Sequence, residues 1–550
     1  MLQAQVIVEA ARTEASHPPV VIPVVMGACG LIIVAMGIIL AGLGHDPEQT
    51  VEKRDDKKQS AREVVSNHQS MIFIVNMVAD VAPLGFLPVA SGIKFIGFVP
   101  SFVCMFIVWL VCVYTMWMTA RNCQIWNSWH LDHQWAMAIG KRTSWVPILA
   151  NALACFGDNL AMTCFIGSIS LDAFAVVDFQ MSRTQCVILF SVFPILPLCF
   201  LKDLSTLAPS STLGVISIFY TVAVMMFRAG DGSYHEGGQY YRDLTNDGLA
   251  DFLPLLPANH HLFGFTCIAC LKLVSTLSLS FMTHYNACKY YSELKSATPE
   301  SYAKLTAIAL GICASFYAIS MIAGYVTFGY HAQEMILNNY APEDVLITIA
   351  RFGTGISLIV AYPVTFCGLR ESAVSMLKML LPSTTGSLFD SPTVQDRLTM
   401  FLVLLITITA VFLTDDGLMV GLVGSICGSA VIFVVPTLIH IFAMRKGFAS
   451  PKLGILQSSW PRLILVCGAF LMIAGTIETF RGSANASAAI ATLPPECREA
   501  AHHHVHMFTP WYFQHDNSGA GQLHRRFAQI ACAHVTAHHP TLANILYGFG

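Results

Sequence analysis

Long apolar runs alternate with short polar segments along most of the chain. In lipid every backbone N–H and C=O must be bonded within the protein, so an apolar run of about 20 residues predicts a spanning helix. Twelve such runs are present. One covers 20–43. Eleven more predict core helices 1 to 11 at 71–90, 95–119, 144–177, 185–201, 206–228, 261–283, 305–327, 344–367, 399–414, 417–443 and 462–480. The runs are continuous rather than alternating, which argues against a strand barrel. Segment 20–43 has no basic flank before it and is too long for the apolar stretch of a signal peptide, so it reads as an additional helix.

Composition agrees. Hydrophobic residues make up 55% of the 550, charged residues 11%, and the mean hydropathy is +0.61. A soluble domain carries about 25% charged residues. The chain lacks the polar surface of a soluble fold and reads as an all-α polytopic protein of the lipid bilayer. Its net charge of −3 gives no reason to expect a nucleic-acid partner.

Loop charge sets the orientation. With 44–70 in the cytosol, the cytosolic loops hold 17 Lys and Arg, against Arg12, Lys94, Arg183 and Arg242 on the opposite side before the tail. The acidic loop 229–260 and the tail 481–550 then lie outside the cytosol. The tail carries the sequon at Asn485, Cys497 and Cys532 as the one plausible disulfide pair, and the histidine cluster 502–506, read as incidental low complexity rather than a metal site.

Four charges stand out deep within the predicted spans: Asp80, Asp158, Lys272 and Arg351. Each costs on the order of 2.5–3.5 kcal/mol at the bilayer centre, so each is expected to face protein or water. A buried pair or triad of the two acids with Lys272 is expected. A structural ion pair is the plain alternative for each residue, but several together suggest a polar path through the membrane. Core helix 1 is also interrupted by Pro83, Gly85 and Pro88. Proline removes a backbone donor and clashes with the preceding turn. Broken membrane helices line cavities and, in secondary transporters, bind substrate and ions; a simple kink is the alternative.

Three segments carry a family likeness: PLCFLKDLSTLAPSSTLG at 197–214, SLSFMTHYNACKYYSELK at 278–295 and ARFGTGISLIVAYPVTFCGLRE at 350–371. Ser280-Phe281, His284, Tyr291 and Glu293-Leu294 in the second, and Arg351, Pro363 and Arg370 in the third, resemble the amino acid/auxin permease family in order and spacing. The resemblance covers about 70–480. It implies a LeuT-like fold of two inverted five-helix repeats, 71–228 and 261–443, with 444–480 appended as helix 11 and 1–70 as an extra helix plus cytosolic linker. It implies a secondary active transporter of amino acids working by alternating access, with helices 1 and 6 broken and the substrate between them. Backbone at Val81, Ala82, Pro83 and Leu84, and the stretch Ser275, Thr276, Ser278, Ser280 and Phe281, are the expected substrate contacts. Arg351, Pro363 and His284 are expected to be structural or gating residues. Where the family carries a Gly-x-Gly step in helix 1, this chain has Asp80-Val81-Ala82. Helix 6 has no Gly or Pro near its expected break, where serine and threonine hydroxyls are expected to serve the freed backbone.

Ion coupling is assigned to Asp80, Asp158, Lys272 and Asn76. Asn76 matches the helix 1 asparagine of sodium-coupled relatives. The residues just before Pro363 are Ile359, Val360, Ala361 and Tyr362, so the hydroxyl cage of a sodium site looks incomplete. A buried acid favours its neutral form, so Asp80 or Asp158 can carry a proton. Proton coupling is preferred and sodium coupling is the alternative; no other cofactor is expected. An amino-acid sensor or channel is the competing class. The chain has no HExxH, GxSxG or P-loop motif to support an enzyme.

Overall fold

The computed structural model describes residues 56–176, 181–201, 208–235, 237–240, 267–294, 298–329, 332–381, 389, 391–413, 415–448 and 455–491. The expected helix at 20–43, the acidic stretch 241–266 and the tail histidines and cysteines lie outside them. Among the described residues the chain is almost wholly helical, and eight helices are long and apolar enough to cross a membrane.

All eleven core helices are present, two of them in halves. Core helix 1 comprises α1 (Asp56–Gly85) and α2 (Val89–Ile96). Next come α3 (Phe98–Trp126) and a short cytosolic α4 (Leu131–Ala138). They are followed by α5 (Trp145–Val176), by α6 (Arg183–Phe190, extended by Ser191–Ile195 and Leu196–Cys199) and by α7 (Ala208–Gly230). Core helix 6 comprises α8 (Cys267–Ser280) and α9 (Ala287–Glu293). The last five are α10 (Pro299–Phe328), α11 (Val345–Leu380), α12 (Pro392–Phe412), α13 (Asp416–Leu422, extended by Val423–Val434 and Val435–Ala443) and α14 (Ile455–Ala491). An interrupted helix opening each five-helix half is the LeuT-like order.

Several boundaries move. Residues 71–90 are not one span: the chain breaks after Gly85 and restarts at Val89. Residues 284–303, expected as a cytosolic loop, contain the second half of helix 6. Helix α11 runs on to Leu380, so Arg370 is buried within it and donates to Cys199 O at 2.9 Å instead of lying in a loop. The apolar pattern underestimates such helices because their cytosolic ends leave the hydrocarbon and turn polar while remaining helical.

Burial separates core from lipid-facing helices. The most apolar stretch of α5 is 78% buried, that of α14 only 22%. Along α14 the exposed residues Leu463, Val466, Phe470, Ile473 and Ile477 fall three or four apart, giving one apolar stripe for lipid. Helix α5 packs along α11; α10 packs against α1, α2, α3 and α7; α8 packs against α13.

The end of the bundle that the Lys and Arg count places outside the cytosol is closed by the connection from α10 to α11. Arg351, fully buried in α11, donates to the carbonyls of Leu337 at 3.0 Å, Tyr340 at 2.8 Å and Ala341 at 3.4 Å. Asp344 caps α11 by accepting from Leu346 N at 3.1 Å. It also binds Arg228, at the end of α7, through both oxygens at 2.8 Å, and accepts from Tyr234 Oη at 3.0 Å. Removing one partner of a buried ion pair leaves the other uncompensated, at about 3–5 kcal/mol. We therefore expect Arg228→Ala to lower the thermal unfolding midpoint in detergent more than the double change Arg228→Met with Asp344→Asn, which removes both charges. Equal losses would contradict this account.

Candidate functional site

The two helix breaks meet at mid-depth. In α1, Pro83 lies inside the last turn and Pro88 just before α2. The carbonyls of the break are taken by side chains and one backbone donor. Ser280 Oγ donates to Gly85 O at 3.0 Å, Ser320 Oγ to Phe86 O at 2.8 Å, and Ile336 N reaches Leu87 O at 3.4 Å. Tyr317 of α10 shares its hydroxyl between Val81 O at 3.0 Å and Ser280 O at 2.6 Å, tying both breaks together. Phe281 packs edge-on against the Tyr317 ring, centroids 5.0 Å apart. A Cβ at Gly85 would collide with Tyr317 and lie 2.8 Å from Ser280 O, so this position requires glycine.

The expected helix 6 hydroxyls divide. Only Ser280 crosses to helix 1. Thr276 and Ser278 bond back to Lys272 O at 3.1 Å and Val274 O at 2.7 Å within their own helix. Ser275 and Ser278 lie against Gly424 and Gly428 of α13, away from helix 1, and Ser275 Oγ is buried with no partner among the described residues. Val81, Ala82, Pro83 and Leu84 are all buried beside the break.

Asp80, 2% exposed, sits one turn before the α1 break. Its Oδ2 accepts from Thr283 Oγ1 at 2.9 Å and Tyr290 Oη at 2.9 Å; its Oδ1 accepts from Tyr285 Oη at 3.1 Å and Thr365 Oγ1 at 3.4 Å. Tyr285 and Thr365 are themselves 3.2 Å apart. Three of the donors come from the helix 6 break and α9, and one from α11, two residues past Pro363. Next to Thr365, Val364 O accepts from Asn286 Nδ2 at 3.3 Å. All four groups on Asp80 are neutral hydroxyls. Asp158, on α5, is likewise 2% exposed; both Tyr285 and the Asp80 charge act on it, and its Oδ1 has no hydrogen-bond partner among the described residues.

Lys272 does not join the acids. Its ammonium pairs with Glu334 Oε1 at 3.1 Å and its side chain is 43% exposed. Asn76 is half-buried one turn before Asp80 and is not among the groups bound to it. His284 binds Thr115 Oγ1 through Nε2 at 2.9 Å, and its buried Nδ1 has no partner among the described residues. It borders a small cytosolic-side cavity of about 10 Å³, room for about one water, lined also by Thr119, Asn151 and Pro436.

The sequence reading missed Thr283, Tyr285, Tyr290, Thr365, Tyr317 and Ser320. Tyr291, one of the residues that carry the family likeness, accepts from Gln124 Nε2 at 3.0 Å and does not reach Asp80. One signal was available: Tyr285 and Tyr290 follow the Ser280-Phe281 step in a run dense with polar and aromatic side chains, where a membrane helix would be apolar.

Interrupted helices that meet at mid-depth beside a buried acid define the architecture of secondary transporters built on discontinuous helices. The chain belongs to the transmembrane amino acid transporter protein family, whose model matches residues 66–481. It is similar to the putative sodium-coupled neutral amino acid transporter 11 of Danio rerio, 25% identical over 56% of this chain and 59% of that protein, so it spans under two thirds of that relative. It is also similar to amino acid transporter AVT6E of Arabidopsis thaliana, 23% identical over 75% of this chain and 83% of that one. Among solved structures, MhsT in complex with L-phenylalanine aligns over 74% of this chain and 98% of its own, at 14% identity and a TM-score of 0.45.

Hydrogen bonds to a charged group contribute about 1.5–3 kcal/mol each, against about 1 kcal/mol for neutral pairs. Thr283→Val and Tyr290→Phe are therefore expected to destabilise the protein more at alkaline pH, where Asp80 is ionised, than at acidic pH. Thermal melts of each variant across pH read this directly; a loss independent of pH would show that Asp80 keeps one protonation state throughout.

Proposed function

We propose that this protein is a secondary active transporter that moves amino acids across its membrane by alternating access, coupled to protons through Asp80. The observation that carries the reading is a carboxyl group buried at the junction of both broken helices, with four hydroxyls on it and no basic side chain bound to it among the described residues. A carboxylate in such surroundings is costly unless its charge is removed or compensated, and binding a proton does this. Release of the proton restores the charge, and the hydroxyls of Thr283, Tyr285, Tyr290 and Thr365 are in place to hold it. Since three of these groups belong to helix 6 and one to α11, the state of Asp80 biases how α1 sits against both. Asp158, within reach of the same tyrosine, is the second site through which a proton can pass.

The substrate class follows from the family and from the breaks. Helix halves ending at the two breaks present dipole ends of opposite polarity, which suits an ammonium and a carboxylate on one carbon. The relatives named as sodium-coupled keep a second reading in play, and one contact favours it. Thr365, two residues past Pro363, brings a hydroxyl of α11 to Asp80, so Asp80, Thr283 and Thr365 offer hard oxygens of the kind that bind such cations.

Uptake of radiolabelled amino acids into proteoliposomes, against a panel of substrates, separates these readings. An imposed inward pH gradient without sodium is expected to drive accumulation. Asp80→Asn, which keeps the shape and removes the titration, is expected to lower that uptake by about tenfold or more, the effect of a lost step in the coupling cycle. Accumulation that follows a sodium gradient at fixed pH would replace the proton with sodium. Full pH-driven uptake by Asp80→Asn would remove Asp80 from the coupling.

A further inference from the structure

On the cytosolic side of the Asp80 site, α9 touches α3 through two sulfur atoms. Cys123, one turn from the end of α3, and Cys288, in the first turn of α9, have their Sγ atoms 3.5 Å apart. Both are free thiols, 1% and 7% exposed. The amide of Gln134, itself fully buried on α4, donates to Cys123 Sγ at 3.2 Å and reaches Cys288 Sγ at 3.7 Å. Its position is fixed by a further bond to Ser128 O at 2.8 Å. The two sulfurs are in contact, and a bond of about 2.05 Å needs them to approach by only ~1.5 Å.

We propose that Cys123 and Cys288 are a redox couple, and that their disulfide locks α9 to α3 and arrests the transport cycle. The oxidant is hydrogen peroxide. One thiolate attacks the peroxide oxygen, the O–O bond breaks, and a sulfenic acid forms as the first water leaves. The second thiol attacks that sulfur, the S–S bond forms and the hydroxyl departs as a second water. Two thiols thus lose two electrons and two protons to one peroxide. Gln134 favours the step by donating to the sulfur that carries negative charge. In a cytosol that keeps thiols reduced, such a bond is transient and reversible, as a regulatory one must be.

The consequence for transport rests on the proposed function. Cys288 lies between Tyr285 and Tyr290, both bound to Asp80. A covalent tie to α3 fixes this segment and with it the hydroxyls on the acid, so the helix 6 break can no longer rearrange against helix 1.

The test uses the full chain in proteoliposomes treated with hydrogen peroxide. Peptide mass mapping is expected to find the Cys123 and Cys288 peptides joined, lighter by two hydrogen atoms than the reduced pair and separated again by dithiothreitol. Uptake is expected to fall by about tenfold on oxidation and to recover with dithiothreitol, since a locked conformational step limits turnover. Cys123→Ser and Cys288→Ser are each expected to transport normally and to resist peroxide. The redox couple is overturned if both thiols still react with an alkylating agent after peroxide has oxidised the exposed Cys467. The lock is overturned if the cross-link forms and uptake is unchanged. Mapping on the unaltered protein decides the couple even if a variant fails to fold. If the reduced protein takes up no amino acid, the proposed function fails while the cross-link result still stands.

Discussion

A carbonyl freed inside a membrane has no water to turn to, and an unpaired backbone group there costs several kcal/mol. Helix α1 frees Gly85, Phe86 and Leu87 in succession, and the surrounding helices are arranged to answer them. Ser280, Ser320 and Ile336 N each take one. Tyr317 then binds a carbonyl from each broken helix, so the two breaks cannot separate without losing its bonds. Gly85 is required because the helices approach too closely for any side chain. Side-chain hydroxyls are well suited to this role. They satisfy backbone groups when the site is closed and can exchange partners when it opens, with no charge left behind.

The same economy of charge governs Asp80. A lysine partner would neutralise the acid permanently and leave it nothing to titrate. Four hydroxyls stabilise its ionised form without fixing it. The cations lie elsewhere. Arg351 binds three carbonyls of the extracytosolic cover, Arg228 binds Asp344 at its rim, and Lys272 pairs with Glu334 on the same side. Positive charge thus fastens the outer closure, while negative charge at mid-depth is held only by neutral groups. Ile336, within that cover, also bonds to Leu87 O, so the outer closure rests directly on the helix 1 break.

On the opposite side, the short half-helix α9 is held by contacts of both kinds. It meets α3 through Cys123 and Cys288, and His284 reaches Thr115 of α3 at 2.9 Å. It is also tied to α11 by an ion pair between Lys289 Nζ and Glu371 Oε1 at 3.2 Å. How α9 lies therefore depends on neutral contacts to one neighbour and on charge to the other.

The order of apolar runs determined the number and sequence of the core helices, because the bilayer permits few other ways to satisfy a backbone. The distribution of Lys and Arg gives their expected orientation, and the prolines at 83 and 88 mark the first break. Asp80 and Asp158 stood out because an acid in a span is expensive wherever it points. The partners of these groups were not legible. The sequence does not show that Lys272 pairs with Glu334 rather than with an acid of the spans, and the second break carries no proline or glycine to announce it. Thr283, Tyr285, Tyr290 and Thr365 are ordinary polar residues in sequence and lie 203 to 285 positions from Asp80. Local pattern reports what a residue costs to bury; which groups offset that cost depends on helix packing across hundreds of positions, and only the tertiary structure decides it.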